Sequence, residues 1–259
     1  MIPQQRRERI LGECQRKKTC TVRELSQLLG VSEITINRDL VRLEDDGGIQ
    51  RVHGGATFVG SNRIGESKTE HRVQIRLGMH VEEKMAIARK AAQLIRDETS
   101  IFIDHSSSSI YLAREIMNLS FKNLVIATNS IKILSELEGI SSLHLISTGG
   151  NLQHQWSALG GAIALDSLSK LNFDQIFISC GAISVERGLM TSFPFVAEML
   201  QRTSAVTKEI NVLVDSSKFS RVGTFSIVPA SSITRIITDG RLERTVLDPY
   251  RELGINVIL

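Results

Sequence analysis

The sequence predicts two modules of different class. A small, mostly α N-terminal winged helix-turn-helix is expected over residues 1–60, and a larger α/β domain with a largely parallel sheet over 85–259, joined by a linker over 61–84. Three observations carry this reading. Apolar residues recur at helical spacing in three short segments of the first sixty residues, with capping signals between them. Beyond residue 100, short continuous apolar runs alternate with helical stretches, the mark of a sheet buried on both faces. The chain of 259 residues is long for one average domain, and 42% hydrophobic with 23% charged is ordinary globular composition.

The first helix is expected over residues 4–16, where Ile10, Leu11 and Cys14 line one face of an Arg-rich stretch. Thr21-Val22-Arg23-Glu24 has the T-x-x-E form: the hydroxyl can accept from the backbone N–H three residues on, and the Glu can reach back to the cap N–H. Val22, Leu25, Leu28 and Leu29 give the second helix its apolar face, and Gly30 is placed to end it. Ser32 is placed to cap a third helix, so the turn between the two has helix-turn-helix length. In that third helix Ile36, Leu40 and Leu43 should pack inward, leaving Thr35, Arg38 and Arg42 outside with Asn37 beside them. After Gly47-Gly48, residues 49–59 read as two short strands about the Gly54-Gly55 turn, a hairpin that completes the wing.

Charge narrows the function. There are 31 Lys and Arg against 28 Asp and Glu, a net +3, which excludes a polycation that coats nucleic acid by bulk charge. The distribution is uneven, because residues 1–23 hold seven basic side chains against Glu8 and Glu13. In residues 24–60 only Arg38, Arg42 and Arg51 face Glu24, Glu33, Asp39, Glu44, Asp45 and Asp46, so the placement of single charges matters more than their sum. Cys14, Cys20 and Cys180 share no metal-ligand spacing and are odd in number, so reduced thiols and no metal site are expected. No signal-peptide or membrane-spanning run is recognisable, and a cytoplasmic protein without membrane contact is expected.

These features support a DNA-reading head. The third helix would enter the major groove, where Arg38 can fork onto a guanine edge and Asn37 can pair with adenine. Ser32 and Thr35 can bind phosphate near the helix N-terminus, Arg42 adds to the outer cationic face, and Arg51 and His53 can reach backbone or minor groove from the wing. The bland alternative is a small helical interaction module whose Arg residues make surface ion pairs worth about 0–1 kcal/mol each. The segment Val31-Ser32-Glu33-Ile34-Thr35-Ile36-Asn37-Arg38-Asp39-Leu40, with Leu43-Glu44 and then Arg51-Val52-His53-Gly54-Gly55-Ala56, resembles the signature of the DeoR family of bacterial transcription regulators. The family usually has Arg where Asn37 stands and an apolar residue where Gly48 stands.

In the larger module the apolar runs are Ile101 to Ile103, Leu124 to Ala127, Leu143 to Ile146, Ile176 to Cys180, Ile210 to Val214, Ile233 to Thr238 and Ile255 to Leu259. Ligands of such sheets sit beyond the carboxyl ends of the strands, which singles out the polar residues after each run. Ser106, Ser107, Ser108 and Ser109 precede a helix and offer hydroxyls and backbone N–H groups to an anion, and Lys218 can supply a point charge for phosphate. Asp104 and Asn129 can hydrogen-bond sugar hydroxyls; Ser130, Gly149 and Gly150 complete the set, with His105, His154 and Trp156 as further lining residues. The blocks Asp104 to Ser109, Thr128-Asn129-Ser130, Gly149-Gly150 and Asp215-Ser216-Ser217-Lys218-Phe219 look like the DeoR effector domain, which is similar in fold to ribose-5-phosphate isomerase. The family usually has Gly where Ser106 stands and acidic residues where Phe195 and Val196 stand.

The resemblance implies a sequence-specific regulator, a repressor of sugar-metabolism genes, that binds an operator in double-stranded DNA as a homodimer or homotetramer. Its effector would be a phosphorylated sugar or related metabolite, with no cofactor and no catalytic residues. The alternative is a sugar-phosphate isomerase-like enzyme carrying a DNA-binding head, with Asp104 and Asp215 as acid-base groups. A pure protein-interaction adaptor would leave the outward Arg38 and Arg42 unexplained.

Overall fold

The computed structural model describes residues 3–45, 49–52, 54–58, 70–219 and 221–259. It divides into two compact units, one of residues 1–76 with 154–156 and one of 77–153 with 157–259.

The first unit contains α1 (Pro3–Lys17), β1 (Thr19–Thr21), α2 (Val22–Leu29), α3 (Glu33–Asp45), β2 (Ile49–Val52) and β3 (Gly55–Phe58). Thr21 and Glu24 form the reciprocal capping box at the start of α2, with N–H to oxygen distances of 3.1 and 2.8 Å. Gly30 ends α2 at φ +64°, a left-handed conformation that costs glycine little. Ser32 caps α3, its Oγ accepting from the Thr35 N–H at 3.3 Å and its carbonyl from the Ile36 N–H at 3.1 Å. Ile10, Cys14, Leu25, Leu29, Ile36, Leu40, Leu43 and Ile49 close into one core. The hairpin gains a third strand that sequence patterning did not separate: β1 pairs antiparallel with β3, giving the order β1-β3-β2. Residues 61–69, inside the expected linker, lie outside the described residues. From residue 70 the chain is helical, with α4 (Glu70–Gly78) and α5 (Val81–Ala92), so the second half of the expected linker is built structure.

The second unit continues with β4 (Ser100–Ile103), α6 (Ser107–Ile116), β5 (Leu124–Thr128), α7 (Ile131–Leu137), β6 (Leu143–Ser147), the hairpin β7 (Asn151–Gln153) and β8 (Ala158–Gly160), and α8 (Ala162–Ser169). There follow β9 (Phe173–Ile178), β10 (Ala182–Ser184), β11 (Gly188–Thr191), α9 (Pro194–Ser204), β12 (Thr207–Leu213), β13 (Phe225–Ser226), β14 (Arg235–Ile237), α10 (Arg244–Glu252) and β15 (Asn256–Ile258). All seven apolar runs become strands of one sheet in the order β15-β14-β12-β9-β4-β5-β6. Every pairing in it is parallel. Strand β4 is buried from Ile101 to Ile103 and β9 from Gln175 to Ile178, as parallel strands covered by helices on both faces must be. Strands β10, β11 and β13 form a separate small antiparallel sheet.

The winding direction singles out one point at the carboxyl end of the sheet. From β4 the chain steps outward to β5 and β6, then returns to the other side of β4 with β9 and steps outward again to β12, β14 and β15. The reversal lies between β4 and β9, and the crevice outside the carboxyl ends of those strands is where such sheets hold ligands.

Candidate functional site

On the head, α3 turns Arg38 and Arg42 to solvent, and neither makes an ion pair or hydrogen bond with a described residue. Three of the acidic residues that crowd this segment in sequence, Asp39, Glu44 and Glu24, hold the head together. Asp39 is buried and takes Arg6 Nε at 2.5 Å, so one charge of the basic first helix is committed to holding α3. Glu44 accepts the Arg51 backbone N–H at 2.8 Å, which ties the wing to α3 and leaves the exposed Arg51 side chain outward. Glu24 is consumed in the capping box, and the Thr21 N–H and hydroxyl hold its carboxyl below the usual carboxylate range. Asn37 differs from a ready base reader: its Nδ2 donates to the Glu33 carbonyl at 3.0 Å, so pairing with adenine needs a rotamer change. Ser32 and Thr35 share a hydroxyl contact of 2.9 Å at the start of α3. His53 lies outside the described residues.

At the sheet reversal, Asp104 follows β4 and is 1% exposed. Its Oδ1 accepts from the Ser106 N–H at 3.1 Å and from the Ser109 hydroxyl, and its Oδ2 accepts from the Ser179 N–H at 3.0 Å, just past β9. Three of the roughly four acceptor directions of a carboxylate are therefore filled by the protein. Asp104 stitches the switch point together; the expected sugar-hydroxyl contact would compete with that task. Ser106 caps α6, accepting from the Ser109 N–H at 3.2 Å. Ser107 and Ser108 are the first two residues of the helix, whose N–H groups have no acceptor inside it, and their hydroxyls have no partner among the described residues.

Asn129, after β5, is 1% exposed. Its Nδ2 lies 3.3 Å from both His105 Nδ1 and the Leu159 carbonyl, while its buried Oδ1 has no hydrogen-bond partner. An acceptor withheld from water without a donor is costly unless something else supplies one. Ser130 spends its hydroxyl capping α7 through the Ile133 N–H at 3.3 Å. Gly150, at φ +104°, has a packing reason: a Cβ there would sit 2.5 Å from the Gly160 carbonyl oxygen. Gly149 has open space at that position, with only an Ile163 methyl at 3.9 Å.

Lys218 ends a tight turn after β12. Asp215 Oδ1 accepts the Ser217 N–H at 2.9 Å, and Asp239 accepts the Ser216 N–H at 2.7 Å, so two buried carboxylates pin this loop. Burial pushes the Asp215 carboxyl up, but Lys218, the Ser217 hydroxyl and N–H, and His80 together hold it below its ordinary value. Lys218 is half-buried and forms no ion pair with a described residue; its charge reaches both Asp215 and Cys180, the latter just past β9.

Sequence reasoning missed several neighbours. Reading 61–84 as linker hid the start of α5, where Glu83 pairs with Arg241 and Lys84 is buried. Phe195 packs its ring 5.8 Å from His105 and closes over Gly160, making an apolar wall that only its departure from the family pattern signalled. Trp156 is no open sugar platform: it is 5% exposed and lies under the Arg76 guanidinium at 4.6 Å. Among the described residues there is no group of three or more His, Cys, Asp or Glu placed to hold a metal, and no helix is long and apolar enough to cross a membrane. An open cleft of about 540 Å³ between α8 and α9 contains none of the expected site residues.

The loops after these strands present hydroxyls and helix-end amides while their carboxylates are bound by the protein itself, a set that suits holding a ligand rather than transforming it. On one chain with a helix-turn-helix, it defines a ligand-sensing transcription regulator. Residues 6–62 match the DeoR-like helix-turn-helix domain and residues 79–240 the DeoR C-terminal sensor domain. The chain belongs to the DeoR family.

Relatives match it over nearly their whole length. The HTH-type transcriptional regulator GolR of Listeria innocua is 29% identical over 99% of this chain and 98% of its own. The putative aga operon transcriptional repressor of Escherichia coli O157:H7 is 30% identical over 98% and 93%. The L-fucose operon activator of Escherichia coli K12 is 33% identical over 88% and 91%. Among solved structures, ribose-5-phosphate isomerase from Plasmodium falciparum superposes with TM-score 0.39 at 17% identity, covering 54% of each chain. The delta subunit of eIF2B from Chaetomium thermophilum gives 0.45 at 16% identity, covering 79% of this chain and 75% of its own. The relatives are regulators, and this chain is a DNA-binding transcriptional regulator, not an enzyme.

Proposed function

We propose that this regulator represses genes of sugar metabolism in the cytoplasm and that a phosphorylated sugar, or a closely related metabolite, sets its affinity for DNA. The observation that supports this most is the set of polar groups left over at the carboxyl ends of strands in the parallel sheet. Among the described residues, the Ser107 and Ser108 amides after β4, the buried Asn129 Oδ1 after β5 and the Lys218 ammonium after β12 are not taken up by a hydrogen bond or ion pair. A phosphate can take the amides and the ammonium, and a sugar hydroxyl can donate to Asn129. The Phe195 and His105 rings offer a face for the carbon skeleton. Relatives named for the aga and L-fucose operons support a carbohydrate context.

On the DNA side, Arg38 reads a guanine edge, with Asn37 swinging out to a neighbouring adenine, while Ser32, Thr35, Arg42, Arg51 and His53 contact backbone or the minor groove. A homodimer or homotetramer places two heads on half-sites about one helical turn, or a multiple of it, apart. The isomerase alternative loses its acid-base pair, because Asp104 accepts from the Ser106 and Ser179 N–H groups and Asp215 from the Ser217 N–H.

Two measurements test the proposal. Thermal shift across a panel of sugar phosphates should give a stabilising ligand whose effect falls at least tenfold in apparent affinity for Lys218→Ala; a ligand indifferent to that change would place the phosphate elsewhere. Gel-shift titration on duplexes selected by the protein should show sequence preference that Arg38→Ala removes.

A further inference from the structure

The outer face of α3 carries an exposed apolar side chain beside its cations. Successive helix residues are about 100° apart, so the buried Ile36, Leu40 and Leu43 define the inward side of α3. Ile34 falls opposite them, within about 40° of Arg38 around the helix axis, and is 69% exposed. Val41 lies on the same line two turns further on and is half-buried. The head's core closes without Ile34, so its side chain contributes nothing to that packing. It is the second residue of α3, directly after the Ser32 cap and Glu33, in the first turn of the helix, the part of a recognition helix that meets base edges. Among the described residues of the head, the other large exposed apolar side chains, Leu28 and Val52, lie on α2 and the wing strand, off this line.

We infer that Ile34 is a specificity-determining residue that packs on the 5-methyl group of a thymine in the major groove. The inference rests on α3 being the recognition helix. The thymine methyl is the apolar group that the major-groove edges present, and a branched aliphatic side chain among cations selects for it. Arg38, one turn further on the same side, stands about 6 Å along the axis, close to two base-pair steps. The preferred half-site therefore carries a thymine within about two base pairs of the guanine that Arg38 reads.

The test uses the full chain and a duplex it enriches from a randomised library. Each thymine in turn is replaced by deoxyuridine, which differs only in lacking the methyl. At one position per half-site, wild-type affinity should fall roughly fourfold, the worth of one buried methyl. Ile34→Ala should bind the thymine and uracil duplexes alike, with an unchanged melting temperature because the site is exposed, and Ile34→Val should keep the preference. Indifference of the wild type to uracil at every position, or an unchanged thymine-to-uracil ratio in Ile34→Ala, overturns the inference alone. Failure to enrich any duplex overturns the recognition-helix assignment and this inference with it.

Discussion

Replacing Asp104 by Ala separates a scaffold from a ligand contact. The substitution strands the Ser106 and Ser179 N–H groups and the Ser109 hydroxyl. Leaving a buried donor unsatisfied costs about 1–3 kcal/mol, and bonds to a charged acceptor lie at the upper end. Water can reach the half-buried Ser106, and the Ser109 hydroxyl can turn back to Ser106 Oγ, so the full sum is not realised. A loss of about 3–5 kcal/mol is expected, a large part of the roughly 5–15 kcal/mol that holds a domain. For a unit of this size that is on the order of 6–20 °C in melting temperature. Differential scanning calorimetry of the ligand-free protein reads it directly. Asp104→Asn, which keeps one acceptor oxygen, should fall between. If Asp104→Ala melts with the wild type but loses its ligand response, the carboxylate serves the ligand, and the stitching argument is wrong.

Two further outcomes follow from other parts of the sheet. Lys208 and the Ser100 N–H hold the Asp174 carboxyl down to about 2, below its ordinary 3.8. A depressed carboxylate contributes stability above its unfolded pKa and loses it as pH falls through the folded one, so the advantage of wild type over Asp174→Asn should be flat above pH ~5 and vanish between pH ~4 and ~2. Urea unfolding across that range checks it, and a difference independent of pH would contradict the assigned cause. Gly150→Ala puts a Cβ 2.5 Å from the Gly160 carbonyl at a positive φ. It should cost about 1–3 kcal/mol from backbone strain and more from the clash, whereas Gly149→Ala, also at a positive φ (+64°) but with open space, should carry the strain alone and cost less; equal melting temperatures for the two would refute the packing role.

The central strands of the large sheet were legible because a strand covered on both faces needs apolar residues along its length, a pattern that depends on no knowledge of its neighbours; the edge strands β6 and β15, partly exposed, carry it less fully. The elements that escaped are those whose identity is set by tertiary partners. Thr19–Thr21 is three residues long and doubles as a helix cap, so only its pairing with β3 makes it a strand. Helix α4 buries Val73 and Leu77 among charges, too few apolar positions to establish a period. The site shows the same division. Position after a strand picks out Asp104, Asn129 and Lys218 as candidates, but not that the protein itself satisfies Asp104 and leaves Asn129 Oδ1 without a donor among the described residues. Nor could charge counting show that Asp39 turns inward to Arg6, leaving the outer face of α3 less acidic than its sequence.

The order of strands bears on how the chain is made. The head's helices and wing are contiguous in sequence, so their contacts are local and form early. Strand β4 must wait for β9, five labelled strands later, before its second edge is paired, and parallel pairing of that kind is slow. During synthesis at about 5–20 residues per second, the head is complete before the first strand of the large sheet has been made. For that interval the nascent protein carries a finished reader with no sensor, and a β4 edge that stays unpaired until β9 arrives.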